Sequence, residues 1–106
     1  MRIATFNVNG VNGRLPLLLD WLAEARPDVV CLQELKSPDD KVPRAAIEKA
    51  GYGALWVGQP RWNGVAMLAR GAEPVETRRA LPGGAEDTQA RYLEAAVNGV
   101  LIGCLY

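Results

Sequence analysis

The chain has 106 residues, 49 % of them apolar, and 12 basic side chains balance 12 acidic ones. That length suits one small domain, and the periodic apolar content excludes a disordered chain. The charge balance holds on both sides of Gly53, so no bulk basic field is available, and any nucleic-acid contact must rest on local basic patches or a metal ion.

Residues 2–7 are the first expected strand. Side chains two apart in a strand share a face, so Asn7 and Asn9 project together if the strand continues that far. Asn7 can equally be a turn cap. Leu15, Leu18, Leu19 and Leu22 then recur at helical spacing. Pro16 suits the first turn of that helix, Asn12 or Gly13 its cap, and Pro27 its end. The run DVVCLQE, residues 28–34, is continuously apolar up to its end, as expected of a strand buried on both faces. Residues 2–34 therefore predict a strand–helix–strand unit with parallel strands.

Residues 36–43, KSPDDKVP, read as a polar loop, and PRAAIEKAG (43–51) as a short helix stopped by Gly51. GALWVG (53–58) and GVAMLAR (64–70) are two strands. Between them QPRWNG carries Asn63-Gly64, a hairpin turn signal. EPVETRRAL (73–81) predicts another strand and PGGAEDT (82–88) a loop. ARYLEAAV and VLIGCLY flank Asn98-Gly99, which predicts a type I′ hairpin. The plan is α/β first and an antiparallel meander after it, in one domain without linker or repeat. Cys31 and Cys104 both lie in apolar strand runs and read as buried, reduced thiols of a cytoplasmic protein. No apolar run approaches the ~20 residues of a membrane span, and Met1-Arg2-Ile3 opens no leader pattern, so no membrane partner is expected.

Histidine, the commonest general acid or base, is absent from the sequence. Glu34 stands at the end of the second strand. Parallel strands end at one sheet edge, and that edge is where open α/β sheets bind ligands. Asn7, Asn9 and Glu34 thus converge on one edge. One carboxylate with carboxamides suits Mg²⁺, which takes hard oxygen ligands and keeps several waters. The plain alternative for Glu34 is a solvated strand end. The loop NGVNG lies between strand and helix, but it lacks the full glycine fingerprint of nucleotide sites. Tyr106 ends the last strand, where its phenol reaches a phosphate or caps the core edge. Trp62 either stacks on a base or packs under its loop. Arg91 pairs with a neighbouring acid or with phosphate.

Taken together, TFNVNG, PDVVCLQELK, GYGALWVGQPRWNGVAMLAR and DTQARYLEAAVNGVLIGCLY resemble the bacterial exonuclease III / abasic-site endonuclease family, within the endonuclease/exonuclease/phosphatase superfamily. The likeness runs through the whole chain in order. It implies a four-layered α/β/β/α sandwich, of which residues 1–106 would form the N-terminal half: a mixed sheet with one βαβ unit, then antiparallel hairpins. It also implies a Mg²⁺- or Mn²⁺-dependent phosphodiesterase of DNA repair, monomeric when intact. Its partner would be duplex DNA with abasic sites or 3′ ends, in the cytoplasm at the nucleoid. Position by position, the resemblance implies Glu34 as metal ligand and Asn7 as a catalytic residue at the metal and phosphate. Asn9 would lie near the metal, and Tyr106 would be catalytic beside the scissile phosphate.

Two departures from the family pattern matter. Asn12 stands where many relatives carry an arginine, so Arg14 takes over that phosphate contact or one contact is lost. The Asp-x-Asn pair, later aspartates and histidine of the family's second half have no counterpart here. The last apolar strand also runs directly to Tyr106. The expectation is therefore an N-terminal portion of a longer domain. On its own, the 106-residue chain would be a catalytically inactive half, able at best to bind metal or DNA weakly and prone to self-association. A third reading keeps the superfamily and moves the substrate to another phosphodiester such as a phosphoinositide.

Overall fold

The computed structural model describes residues 1–81, 83 and 88–106, so most of the expected loop 82–88 lies outside the described residues. In chain order the elements are β1 (Ile3–Asn7), α1 (Leu15–Ala25), β2 (Val29–Gln33), a 3₁₀ turn at Asp39–Lys41 and α2 (Arg44–Lys49). Then come β3 (Tyr52–Val57), β4 (Val65–Arg70), β5 (Val75–Arg78), β6 (Tyr92–Val97) and β7 (Val100–Leu105). The expected strands and helices all form, with shifted ends. Only the 3₁₀ turn lacks a sequence counterpart.

The strands make two sheets, ordered β1-β2-β4-β3 and β5-β6-β7. β1 and β2 pair in parallel, from Ile3 opposite Val29 to Asn7 opposite Gln33. All other pairings are antiparallel. The first sheet is central. Val30, Leu32, Ala66 and Leu68 point to one side and pack with Leu18 and Leu22 of α1 and Ile47 of α2. Val29, Cys31, Val65, Met67 and Ala69 point to the other side and meet Leu93, Ala95, Val97, Ile102 and Cys104 of the second sheet. The alternation along β2 and β4 therefore explains why both runs are continuously apolar: each face of the central sheet has its own core. The result is helix layer, mixed sheet, antiparallel sheet, as the α/β expectation requires.

α1 shows where local chemistry departs from expectation. Its N-cap is Arg14, with no side-chain capping bond, rather than Asn12 or Gly13. Asn12 instead donates its amide to the Lys41 carbonyl at 3.1 Å and the Ser37 hydroxyl at 3.4 Å, tying two loops together. The helix ends at Arg26 in the left-handed region (φ 46), just before Pro27. Phe6 meets Trp21 edge-on, with ring centroids 5.4 Å apart, and so clamps the crossover helix on β1. At the far edge of the sheet Asp28 accepts from the Arg2 backbone at 2.6 Å and from the Arg70 guanidinium at 2.7 Å, joining β1, β2 and β4.

The hairpins differ in how they use Asn-Gly. Asn98 (φ 49) and Gly99 (φ 81) both lie in the left-handed region and close a tight turn between β6 and β7, as type I′ requires. Asn63 and Gly64 also have positive φ, but they end a longer loop between β3 and β4 rather than forming a two-residue turn.

The second sheet keeps one face open among the described residues: Val75, Leu101 and Leu105 are more than half exposed. β1 and β7 each form one edge of their sheet, and a cavity of about 310 Å³ lies between them, lined by Thr5, Cys31, Gln33, Ile102 and Cys104 among others. The two faces should respond differently to truncation. Leu68→Ala, in the helix-side core, should cost about 3 kcal/mol. Leu101→Ala should stay within about 0.5 kcal/mol. Urea unfolding of both variants checks this, and equal losses would contradict the layer assignment.

Candidate functional site

β1 and β2 stop at the same edge of the central sheet, Asn7 level with Gln33. The chain does not continue extended past either end. Glu34 (φ 57) and Lys36 (φ 50) both adopt the left-handed region around the fully buried Leu35. Such a conformation costs a non-glycine residue about 1 kcal/mol or more, and strain of this kind concentrates at functional sites. Here it is held by backbone bonds. Leu35 N–H donates to the Gly64 carbonyl at 3.1 Å, Lys36 N–H to the Asn63 carbonyl at 3.0 Å, and Val11 N–H to the Leu35 carbonyl at 2.9 Å. Gly64 is needed for this approach: a Cβ there would lie 2.8 Å from that of Leu35, at φ +93.

Asn9 (φ 45) is likewise turned back. β1 ends at Asn7, so strand alternation does not bring the two asparagines together. A side-chain turn does: Asn7 Oδ1 accepts from the Asn9 backbone N–H at 3.1 Å. Asn7 Nδ2 donates to Glu34 Oε1 at 2.7 Å. Lys36 Nζ donates to Asn9 Oδ1 at 2.6 Å and lies 3.4 Å from Glu34 Oε2. Asn7, Glu34, Lys36 and Asn9 thus form a closed ring of polar contacts. Tyr106, just past β7, completes the cluster from the second sheet, its phenol near enough to Glu34 for each to shift the other's proton affinity. The Arg91 guanidinium lies 5.3 Å from the centre of the Tyr106 ring, and the Tyr106 N–H donates to the Arg91 carbonyl at 2.9 Å. Arg91 therefore makes a cation–π contact, a partner that neither the acid nor the phosphate reading of its sequence position includes.

These contacts set the charge states. The Asn7 amide, with Tyr106 and Lys36 behind it, holds the Glu34 carboxyl below the usual carboxylate range against partial desolvation. Desolvation, then the neighbouring Glu34 carboxylate, pushes the Tyr106 phenol up, so it stays protonated and able to donate. The Glu34 side chain keeps 22 % of its surface exposed and so remains reachable.

Of the residues singled out in the sequence, Asn7, Asn9, Glu34 and Tyr106 meet here. Asn12 does not join them, its amide being engaged with Lys41 and Ser37. Arg14 is exposed at the start of α1. Trp62 is 66 % exposed on the loop that delivers Asn63 and Gly64 to the Glu34 turn. Lys36 was missed. It sits two residues after Glu34, but only the left-handed backbone at both positions folds its ammonium onto the carboxylate.

With the amide oxygens of Asn7 and Asn9 accepting from the Asn9 N–H and the Lys36 ammonium, the Glu34 carboxylate is the hard oxygen donor that this edge presents. It fits a Mg²⁺-like ion that keeps most of its waters. Among the described residues no three His, Cys, Asp or Glu side chains gather, so a full protein cage is not formed.

A family model described as the endonuclease/exonuclease/phosphatase family matches residues 4–98. The chain is 37 % identical over 95 residues to exodeoxyribonuclease III of Haemophilus influenzae, covering 90 % of this chain and 35 % of that protein. Among solved structures, a Neisseria 3′ phosphatase bound to a product DNA hairpin superposes with a TM-score of 0.94 at 40 % identity, covering 100 % of this chain and 41 % of that one. An AP endonuclease from Archaeoglobus fulgidus gives 0.92 at 33 % identity, covering 100 % and 40 %. The chain thus spans between 35 % and 41 % of the length of these relatives.

The ring predicts its own pH behaviour. A depressed folded-state pKa means Glu34 adds stability above its unfolded pKa, lost as pH falls through the folded value. Asn7→Ala removes the largest cause, so the Glu34 titration midpoint should rise toward the ordinary carboxylate value, read by carboxyl-carbon NMR. An unchanged midpoint would show that Asn7 does not hold the carboxylate.

Proposed function

Because the chain belongs to the endonuclease/exonuclease/phosphatase family, we propose that it contributes the Glu34 site of a Mg²⁺- or Mn²⁺-dependent DNA phosphodiesterase of base-excision repair. The substrates are duplex DNA at abasic sites and at 3′ ends, and the reaction is hydrolysis of a phosphodiester. The observation that carries this reading is the convergence of Asn7, Glu34 and Tyr106 from two sheets on one strained edge. The names of the relatives supply the chemistry: an exodeoxyribonuclease, a 3′ phosphatase holding DNA and an AP endonuclease.

Each residue then has a task that its position suits. Glu34, kept ionised, is the ligand that holds the ion. Asn7 fixes the carboxylate's orientation through Oε1, and its own amide oxygen holds the Asn9 backbone at the same edge. A divalent ion bound there would stabilise negative charge on the phosphate and on the leaving oxygen. Tyr106, protonated and held by Arg91 from above its ring, donates to a phosphate oxygen. Lys36 brings a positive charge to the same edge. Arg14 and Asn12 are the candidate backbone-contact positions, with Asn12 acting through the loop it ties. Trp62 offers an exposed ring for stacking on a base. DNA chemistry puts the protein in the cytoplasm with the nucleoid. Among the described residues no helix is long and apolar enough to cross a membrane.

A second reading has a specific observation in its favour. Among the described residues Glu34 is the single carboxylate side chain of the cluster, and the sequence holds no histidine. No group there is free to take a proton from water. On this reading the 106-residue chain alone binds Mg²⁺ or DNA weakly and does not cut.

Mg²⁺ titration followed by NMR tests the site itself. The Glu34 and Asn7 side-chain signals should shift, and Glu34→Gln should abolish the response. An indifferent Glu34 would overturn the metal assignment. Incubation with abasic duplex DNA and Mg²⁺ separates the two readings. Cleavage that falls by about 100-fold or more in Glu34→Gln identifies a chain that acts alone. Intact DNA beside a Mg²⁺-responsive Glu34 identifies the weakly binding half.

The open face of the second sheet adds a prediction about behaviour in solution. β7 carries no charged residue, and Leu101 and Leu105 on it are exposed. Uncharged apolar edges of that kind pair with other chains. The chain should bind a hydrophobic dye and associate as its concentration rises in sedimentation, and Leu101→Lys should weaken both. A dye-silent monomer with a cooperative melt would contradict this.

A further inference from the structure

Cys31 and Cys104 belong to different sheets, yet their side chains share one pocket wall. Both are free thiols, 6 % and 1 % exposed, in the core between the sheets. Cys104 Sγ reaches across to β2. It lies 3.4 Å from the Leu32 carbonyl, the residue next to Cys31, and 3.7 Å from Gln33 Nε2. Gln33 in turn donates to the Cys31 carbonyl at 3.3 Å and to the Thr5 hydroxyl at 2.8 Å, fixing the frame around both sulfurs. Both cysteines line the open cavity of about 310 Å³ between β1 and β7, so a small oxidant has a path to them.

We propose that Cys31 and Cys104 are a dithiol that hydrogen peroxide closes to an intramolecular disulfide between the two sheets. In the first step a sulfur attacks one peroxide oxygen, the O–O bond breaks, water leaves, and a sulfenic acid forms. In the second step the other sulfur displaces the sulfenic oxygen as water. Two thiols lose two protons and two electrons, and one peroxide becomes two waters. Cys31 is the attacking residue. It is the more exposed, and the Cys104 thiol beside it lowers its proton affinity, whereas that contact and burial raise the proton affinity of Cys104.

The place of this pair in the sequence gives it a consequence. Cys31 precedes Glu34 on β2, and Cys104 precedes Tyr106 on β7. The crosslink joins the two strands that carry the carboxylate and the phenol of the site. Oxidation would therefore lock together two groups that are otherwise held on separate sheets.

The test treats the folded chain with hydrogen peroxide, caps free thiols with a maleimide in denaturant, and reads intact mass without reductant. The expected product is a monomer lighter by two hydrogens that takes up no maleimide, melts higher and reverts on adding dithiothreitol. Cys31→Ser and Cys104→Ser, both conservative, should form no internal bond and show no rise in melting temperature. Formation should be at least about tenfold faster folded than in denaturant, since folding holds the sulfurs together. Uptake of two maleimides after peroxide, added oxygens without loss of hydrogens, a disulfide-linked dimer as the main product, or equal rates folded and unfolded would each overturn the proposal.

Discussion

Parallel strands cannot be joined by a tight turn, and this requirement shapes the first third of the chain. β1 must be followed by a crossover long enough to return to its own starting edge, and α1 supplies it. Leu18 and Leu22 bury that helix on the sheet, and the Phe6–Trp21 contact fixes it over β1. Only then do the two strands end together, so that Asn7 and Glu34 lie 27 residues apart in sequence and 2.7 Å apart in space. An antiparallel pairing would put them at opposite ends. A register slip of one residue would turn Val29 and Cys31 toward the helices and empty both cores.

That constraint also explains which parts could be read without coordinates. Strand and helix identities follow from periodicity, because β2 and β4 are buried on both faces and α1 on one. Asn7, Asn9, Glu34 and Tyr106 were legible as a group, through the logic of strand ends and the family resemblance. Their geometry was not. Asn9 reaches the site by a side-chain turn, not by strand alternation, and Lys36 by two left-handed residues around Leu35. Positive φ at Glu34 and Lys36 has no compositional mark, since neither is glycine or asparagine. It is imposed from outside by Asn63 and Gly64, whose own signal reads as a hairpin turn. The Arg14 cap was hidden for a similar reason: Asn12, the better capping residue, is taken by Lys41 and Ser37.

The electrostatic plan of the site is local, in keeping with a chain of zero net charge. One carboxylate is surrounded by an amide, a phenol and an ammonium, and a guanidinium sits on the far side of the phenol ring. Lys36 and Arg91 thus place positive charge beside Glu34 and Tyr106, in a chain whose charges otherwise nearly cancel. Such an arrangement attracts an anion at contact distance and does little to draw one from afar.

The site is also spread along the chain in a way that bears on when it comes into being. Asn7, Glu34 and Lys36 hang on the central sheet, but Tyr106 arrives on β7. Among the described residues that strand pairs with β6 alone and reaches the central sheet through contacts such as Cys104 on Leu32, 72 residues apart. Closing so long a loop is expected to come late in folding, because its entropy must be met before its contacts reward it. The central sheet can therefore be complete, with its polar ring formed, while the phenol is still missing. The same order in reverse makes detachment of β7 a partial opening that removes Tyr106 first and leaves Glu34 where it was. On this order the carboxylate is expected to outlast the phenol when the molecule opens in part.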